Sequence, residues 1–220
     1  MKLQAGPRSV ILLAFVLAGA GLSACAPLML GGAVVTGMSA SDRRTTGAQL
    51  EDERIESRGG ARLRENLGER VHINITSYNR QVLLTGEVPN EQDKQLAEQV
   101  VSRIENVRAI INELTVLGNS TLTQRSSDAL VTGRVKANLI DARDISSSAF
   151  KVVTERGAVF LLGRVTAREA DRATDITRRT NGVQKVVRLF EIITEEELLE
   201  MQSQPASGGQ ASPTPSGRPM

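Results

Sequence analysis

The segment VLLTGEV, Val82 to Val88, returns seventy-seven residues later as VFLLGRV, Val159 to Val165. Each copy is a short apolar run closed by a glycine and an exit valine. The flanks repeat as well. Upstream, Val71, Ile73 and Ile75 alternate in one copy, and Phe150 and Val152, with Thr154, in the other. The turns SYNRQ and ERGA separate these from the glycine-closed runs. Alternation followed by a turn and a second apolar run reads as a β-hairpin. A chain that makes this unit twice is constrained to a tandem of like modules.

Downstream of each hairpin a polar stretch has helical spacing. Leu96, Val100 and Ile104 recur at four in residues 90–104; Ala173, Ile176 and Thr177 mark one face of 167–180. Pro89 and Asn90 suit a helix start. The closing runs, Val107 to Val116 and Val183 to Ile193, are rich in β-branched residues and read as strands. Before each hairpin lies a further helix. In the second copy Val131, Val135 and Leu139 recur at four, with Asp128 as cap. In the first, Ile55, Gly59, Leu63 and Leu67 keep the period, although two adjacent glycines cost roughly 2 kcal/mol relative to alanine. The unit is α-β-β-α-β, twice. The expected fold class is α+β, each module a three-stranded sheet with one apolar face covered by two helices. Ile73 and Ile75, and Val152, should enter separate cores.

The ends read differently. Lys2 and Arg8 precede an apolar stretch, Val10 to Leu22, too short to span a bilayer, so residues 1–24 read as a signal peptide. Residues 25–48 read as a tether, with an apolar part (APLMLGGAVVTGM) and a polar, flexible part (SASDRRTTG). The modules occupy 49–118 and 119–194. Residues 195–220 read as an acidic helix end and a disordered tail rich in Pro, Ser, Gly and Gln.

The sequence pI of about 9.0 misleads, because without Lys2 and Arg8 the chain is formally neutral. Residues 49–118 carry a net charge of −3 and residues 119–194 a net of +5. An acidic and a basic half point to different partners. With no Trp, one Tyr and four Phe, the chain lacks stacking platforms for nucleic acid. Catalytic groups are equally scarce. His72 is the single histidine and Cys25 the single cysteine. His72 sits at an alternating strand position, facing away from Val71 and Ile73 and therefore toward solvent. No second imidazole or thiol accompanies it, so neither a metal site nor a base is expected. Gly86 and Gly163 belong to no phosphate-binding pattern and suit a bend or close approach in the strand. An enzyme is not expected, and no cofactor.

On the helix at 128–141 the stripe Val131, Val135, Leu139 must face its own sheet. Leu130, Gly133, Arg134 and Ala137 then form a neighbouring stripe, with Lys136 on the opposite flank. An exposed leucine beside a cation is what shallow insertion at a lipid headgroup layer requires. Read from the residues alone it is first a solvated flank, since single exposed apolar residues are common. Arg164, Arg168, Arg172, Arg178, Arg179, Lys185 and Arg188 form a second basic set, interleaved with Glu169, Asp171 and Asp175.

Two resemblances add to this reading. LSAC, Leu22 to Cys25, resembles the lipobox of bacterial lipoproteins, which implies cleavage before Cys25 and acylation of its sulfur and new amine. Ala26 and Pro27 follow where an inner-membrane retention signal would place Asp, which implies the outer membrane. Gly86-Glu87-Val88 and Gly163-Arg164-Val165, each followed by a helix and then by Val107 or Gly182-Val183, resemble the BON domain, a bacterial periplasmic module. Asn106 stands in the first copy where the family has Gly. The match covers residues ~50–194. A lipobox, a tether and two such repeats resemble the dual-BON outer-membrane lipoproteins. That implies a chain anchored through Cys25, facing the periplasm, that binds anionic phospholipid through the second-module helix and supports envelope integrity. Leu130, Gly133, Arg134, Lys136 and Ala137 are then the phospholipid-binding residues. Leu130 replaces an expected aromatic anchor, keeping apolar insertion without the interfacial preference of Trp. The alternative is an adaptor for other envelope proteins, with no lipid recognition beyond the acyl anchor.

Overall fold

The computed structural model describes residues 42–203. The signal peptide, Cys25, the apolar part of the tether and the tail from 204 lie outside the described residues. Two copies of α-β-β-α-β follow one another. The first comprises α1 (Thr46–Leu67), β1 (His72–Tyr78), β2 (Gln81–Val88), α2 (Glu91–Ser102), and β3 (Ala109–Asn112) continued by β4 (Thr115–Val116). The second comprises α3 (Leu122–Asp141), β5 (Phe150–Glu155), β6 (Ala158–Thr166), α4 (Ala167–Arg178) and β7 (Lys185–Ile193); α5 (Glu195–Ser203) closes the described chain. The central strand of each sheet, β2 or β6, pairs antiparallel with the strand before it and parallel with the strand after α2 or α4.

Each module has its own core, as the alternation predicts. Ile55, Leu63, Val82, Leu84, Val100 and Val101 are buried in the first, with Ile73 and Ile75 packed against them. Val131, Val135, Leu139, Val152, Val159 and Leu161 are buried in the second. The glycine pair does not break α1. Gly59 faces the sheet, where a Cβ would overlap Ile75 Cδ1 and lie 3.2 Å from Ile104 Cδ1. The propensity cost is set against a close helix–sheet approach that no other residue permits. Gly86 and Gly163 serve close approach too. A Cβ on Gly86 would overlap the His72 carbonyl oxygen, and one on Gly163 would sit 2.5 Å from that of Ala149. Asn106, at φ +67°, takes the left-handed position that Gly182, at φ +96°, takes in the second copy, a conformation asparagine tolerates.

Asp128 does not cap α3. The helix begins six residues earlier, with the Thr121 hydroxyl accepting from Gln124 N–H at 3.2 Å. Asp128 is buried on the inner face and accepts from the backbone N–H groups of Arg156 and Gly157, both at 2.9 Å. Asp52 does the same in the first module, accepting from Asn79 and Arg80 N–H at 2.8 and 2.7 Å and from the Ser77 hydroxyl at 2.6 Å. Both hairpin turns have two successive residues at positive φ, 49° and 64° at Asn79-Arg80 and 49° and 75° at Arg156-Gly157. Such turns match the twist of the flanking strands, and the helix carboxylate satisfies the N–H groups they leave over.

The modules are not independent. The second face of each sheet is apolar and the two meet back to back. Tyr78 and Leu83 pack with Phe160 and Leu162, and Ile111, Val153, Ala158, Val187 and Leu189 surround them. The molecule is therefore layered helices–sheet–sheet–helices. Polar contacts fringe this seam. Lys151 Nζ donates to Glu56 Oε1 at 2.8 Å and Asn79 Nδ2 to Glu191 Oε2 at 2.6 Å, and the Arg164 N–H donates to the Tyr78 hydroxyl at 3.2 Å.

The polar part of the tether, expected to be flexible, is fixed from Asp42 onward. Arg43 forms a two-pronged pair with Glu169 at 2.7 and 2.8 Å and donates to the Arg164 carbonyl, all in the second module. Arg44 pairs with Asp52 at 2.8 Å and lies 4.4 Å over the Tyr78 ring, both in the first. Successive residues thus hold different modules. Such buried forks require desolvated, matched partners, which this arrangement supplies: Glu169 also accepts from Thr166 N–H in the capping box of α4.

This packing has two measurable consequences. Tyr78 is the single Tyr in a chain without Trp, so its emission reports the seam. In a urea titration it should change at the same midpoint as far-UV circular dichroism; an earlier Tyr78 transition would mean the seam opens before the cores. Burial works against the Glu169 charge, but donation from Arg43 and Thr166 outweighs it and holds the carboxyl below the usual range. A folded pKa below the unfolded value of about 4.3 gives stability present above that value and lost as pH falls through the folded pKa. Glu169→Gln should lower the Tm at pH 7, and its gap from wild type should close below about pH 4.

Candidate functional site: the outer face of α3

The inner face of α3 is fixed by Asp128, Val131, Val135 and Leu139, all buried. At 100° per residue Leu130 then lies about 140° round from that stripe, close to the opposite side of the helix. It is 62% exposed, and Gly133, Arg134, Lys136 and Ala137 are exposed with it. The structure therefore brings the five residues to one outward surface, turned further from the sheet than the periodicity alone places them. It also adds two that the sequence did not single out: Leu122 is 79% and Ile140 66% exposed. Leu122, Leu130 and Ile140 fall within an arc of about 80° and span about 27 Å of helix. The signal for Leu122 is the Thr121-x-x-Gln124 pattern, which starts the helix before the apolar period is evident.

Cations border this apolar strip. Arg134 lies on the side of α4, where Nη1 donates at 3.4 Å to the Asn181 carbonyl. Lys136 lies on the other flank, over a small hollow it lines with Ile140, Ser147 and Phe150. Neither forms an ion pair among the described residues. The second basic set behaves differently. Arg164 pairs with Glu191 at 2.9 Å, Arg172 with Asp144 at 2.8 Å and Arg188 with Asp171 at 3.0 Å; Arg168 and Arg178 have looser acidic partners. Those arginines are compensated in place, while Arg179 and Lys185, like Arg134 and Lys136, form no ion pair among the described residues.

His72 faces away from Ile73 as expected, but not into solvent. Its Nδ1 is 3.0 Å from Glu87 Oε2, and its side chain is 18% exposed. The surroundings that the sequence does not reveal belong to the second sheet face, which alternation alone leaves to solvent.

The BON domain family matches residues 51–118 and again 127–194. The chain belongs to the BON domain family. It is 35% identical over 174 residues to the outer membrane lipoprotein DolP of Haemophilus influenzae, covering 78% of this chain and 90% of that one. It is 32% identical over 154 residues to a 21 kDa hemolysin of Actinobacillus pleuropneumoniae, covering 69% and 79%. The osmotically-inducible protein Y of Escherichia coli is 27% identical over 117 residues, covering 52% and 58%. The family match indicates a binding module and no catalytic family. Among the described residues no helix is long and apolar enough to cross a membrane.

Gly133 sits in mid-helix, and a Cβ added there would meet nothing within 4 Å. Gly133→Ala should therefore raise stability by about 1 kcal/mol, measured as a shift of urea midpoint at constant slope; a loss would mean that the outward face is not open.

Proposed function

We propose that the chain is an outer-membrane lipoprotein, anchored through Cys25 and facing the periplasm, whose second BON domain docks on anionic phospholipid and so supports envelope integrity. The observation that carries this reading is the outer face of α3: Leu122, Leu130 and Ile140 exposed in one strip between Arg134 and Lys136. Aliphatic side chains inserted to the depth of the acyl boundary gain about 0.8 kcal/mol per buried CH₂. Each cation near an anionic surface adds about 1 kcal/mol before screening. Gly133 and Ala137 keep the strip flat, so the helix can lie close to the headgroups. The lipobox resemblance and the outer membrane lipoprotein among the relatives support the anchoring; the +5 balance of residues 119–194 supports an anionic surface as the second contact.

The test uses residues 42–203, which hold both cores and the arginine pair but no acyl chain. Co-sedimentation with phosphatidylglycerol vesicles should fall with rising salt, and phosphatidylcholine vesicles should bind little. Leu130→Glu should abolish docking while circular dichroism stays unchanged. Arg134→Ala should weaken docking by about 1 kcal/mol and flatten the salt dependence. Undiminished docking by a folded Leu130→Glu chain would favour the adaptor reading, in which lipid acts through Cys25 alone.

A further inference from the structure

The geometry points to a zinc site in the seam between the two modules, formed by His72 of β1, Glu87 of β2 and Glu155 of β5. One ligand atom from each of the three lies within 4.8 Å of the others. The His72 Nδ1 to Glu87 Oε2 separation of 3.0 Å is already near the ligand-to-ligand spacing of a tetrahedral ion with bonds of about 2.0–2.2 Å. The Glu155 carboxylate lies within 4.8 Å of both.

The surroundings resemble a supported donor set. Arg156 Nη1 donates to the other Glu87 oxygen at 3.2 Å, and Ser120 N–H to Oε2 at 3.1 Å. Asn74 holds Glu155 by Oε2 at 3.0 Å, leaving Oε1 without a hydrogen bond among the described residues. Such outer contacts orient ligands and tune affinity. A further group is unspent: the Thr85 hydroxyl is buried without a hydrogen-bond partner, on the face of β2 that carries Glu87 and directly across from Asn74. An orphaned buried hydroxyl two residues from Glu87 calls for an explanation, and water carried by a bound ion would supply one. Both glutamates are buried and His72 is half-buried, so the three ligand atoms meet out of bulk solvent. One imidazole and two carboxylates suit zinc rather than calcium or magnesium, which take oxygen donors. Because the ligands come from both modules, the ion would clamp the seam.

The experiment uses the full chain extracted from membranes in detergent, untagged so that His72 remains its single imidazole, and stripped with chelator. Calorimetric titration with Zn²⁺ should show one ion per chain and a raised Tm, whereas Mg²⁺ and Ca²⁺ should do neither. The imidazole signals of His72 in ¹H–¹⁵N spectra should shift with the ion. His72→Ala and Glu155→Gln should each weaken binding more than about 100-fold, beyond the loss expected for an outer contact. Each also removes the Tm response while leaving circular dichroism unchanged. Co²⁺ should give the visible absorption of a tetrahedral site in wild type and in neither variant. Absence of zinc binding by wild type, or binding by either variant as tight as by wild type, overturns the site.

Discussion

The central strand of each sheet is buried on both faces, and the rest of the molecule follows from that. In β2, Val82 and Leu84 point into the first module's core while Leu83 points into the seam. In β6, Val159 and Leu161 enter the second core while Phe160 and Leu162 enter the seam. A strand in this position cannot alternate between apolar and polar side chains, and neither does. Once both faces must be covered, each module's helices can cover only one; the other has to be covered by the second copy. A lone module would expose an apolar sheet face of the kind that drives association, so the duplication and the seam are one constraint.

That constraint is written in the opening repeat. VLL and VFLL are continuous apolar runs, the pattern of a strand covered on both sides. Taking them as ordinary hairpin strands places the elements correctly and leaves the second face to solvent. The error carries to His72, whose strand position is right and whose surroundings are wrong, because its neighbour Glu155 lies in the other module, far along the chain. Long-range pairing of polar groups leaves no trace in spacing. The helix α1 shows the opposite lesson: its glycine pair weakens a local argument, yet Gly59 sits on the buried face because strand β1 needs the room.

The outer face of α3 is legible in part. The inner stripe fixes which way the helix must turn, and the five nominated residues fall together outside it. What periodicity does not show is how far the exposed strip extends, since the true helix start depends on the cap at Thr121 and not on Asp128. Nor does composition tell compensated arginines from uncompensated ones. The second module's cations are spread over the whole domain; ion pairs hold several arginines of α4 and β7, whereas Arg134 and Lys136, at the border of the apolar strip, form none among the described residues.

The consecutive arginines have a mechanical meaning. If Cys25 holds the chain to a membrane, as proposed, tension on it reaches Arg43 and Arg44 before the first helix. From there Arg43 passes it to Glu169 in one module and Arg44 passes it to Asp52 in the other. Both modules therefore take hold of the chain at two successive residues, next to Tyr78 of the seam. Asp52 also holds the first hairpin turn, and Glu169 the start of α4, so each anchor point is itself braced by backbone hydrogen bonds. A pull from the amino-terminal side therefore loads both halves close to where their sheets meet.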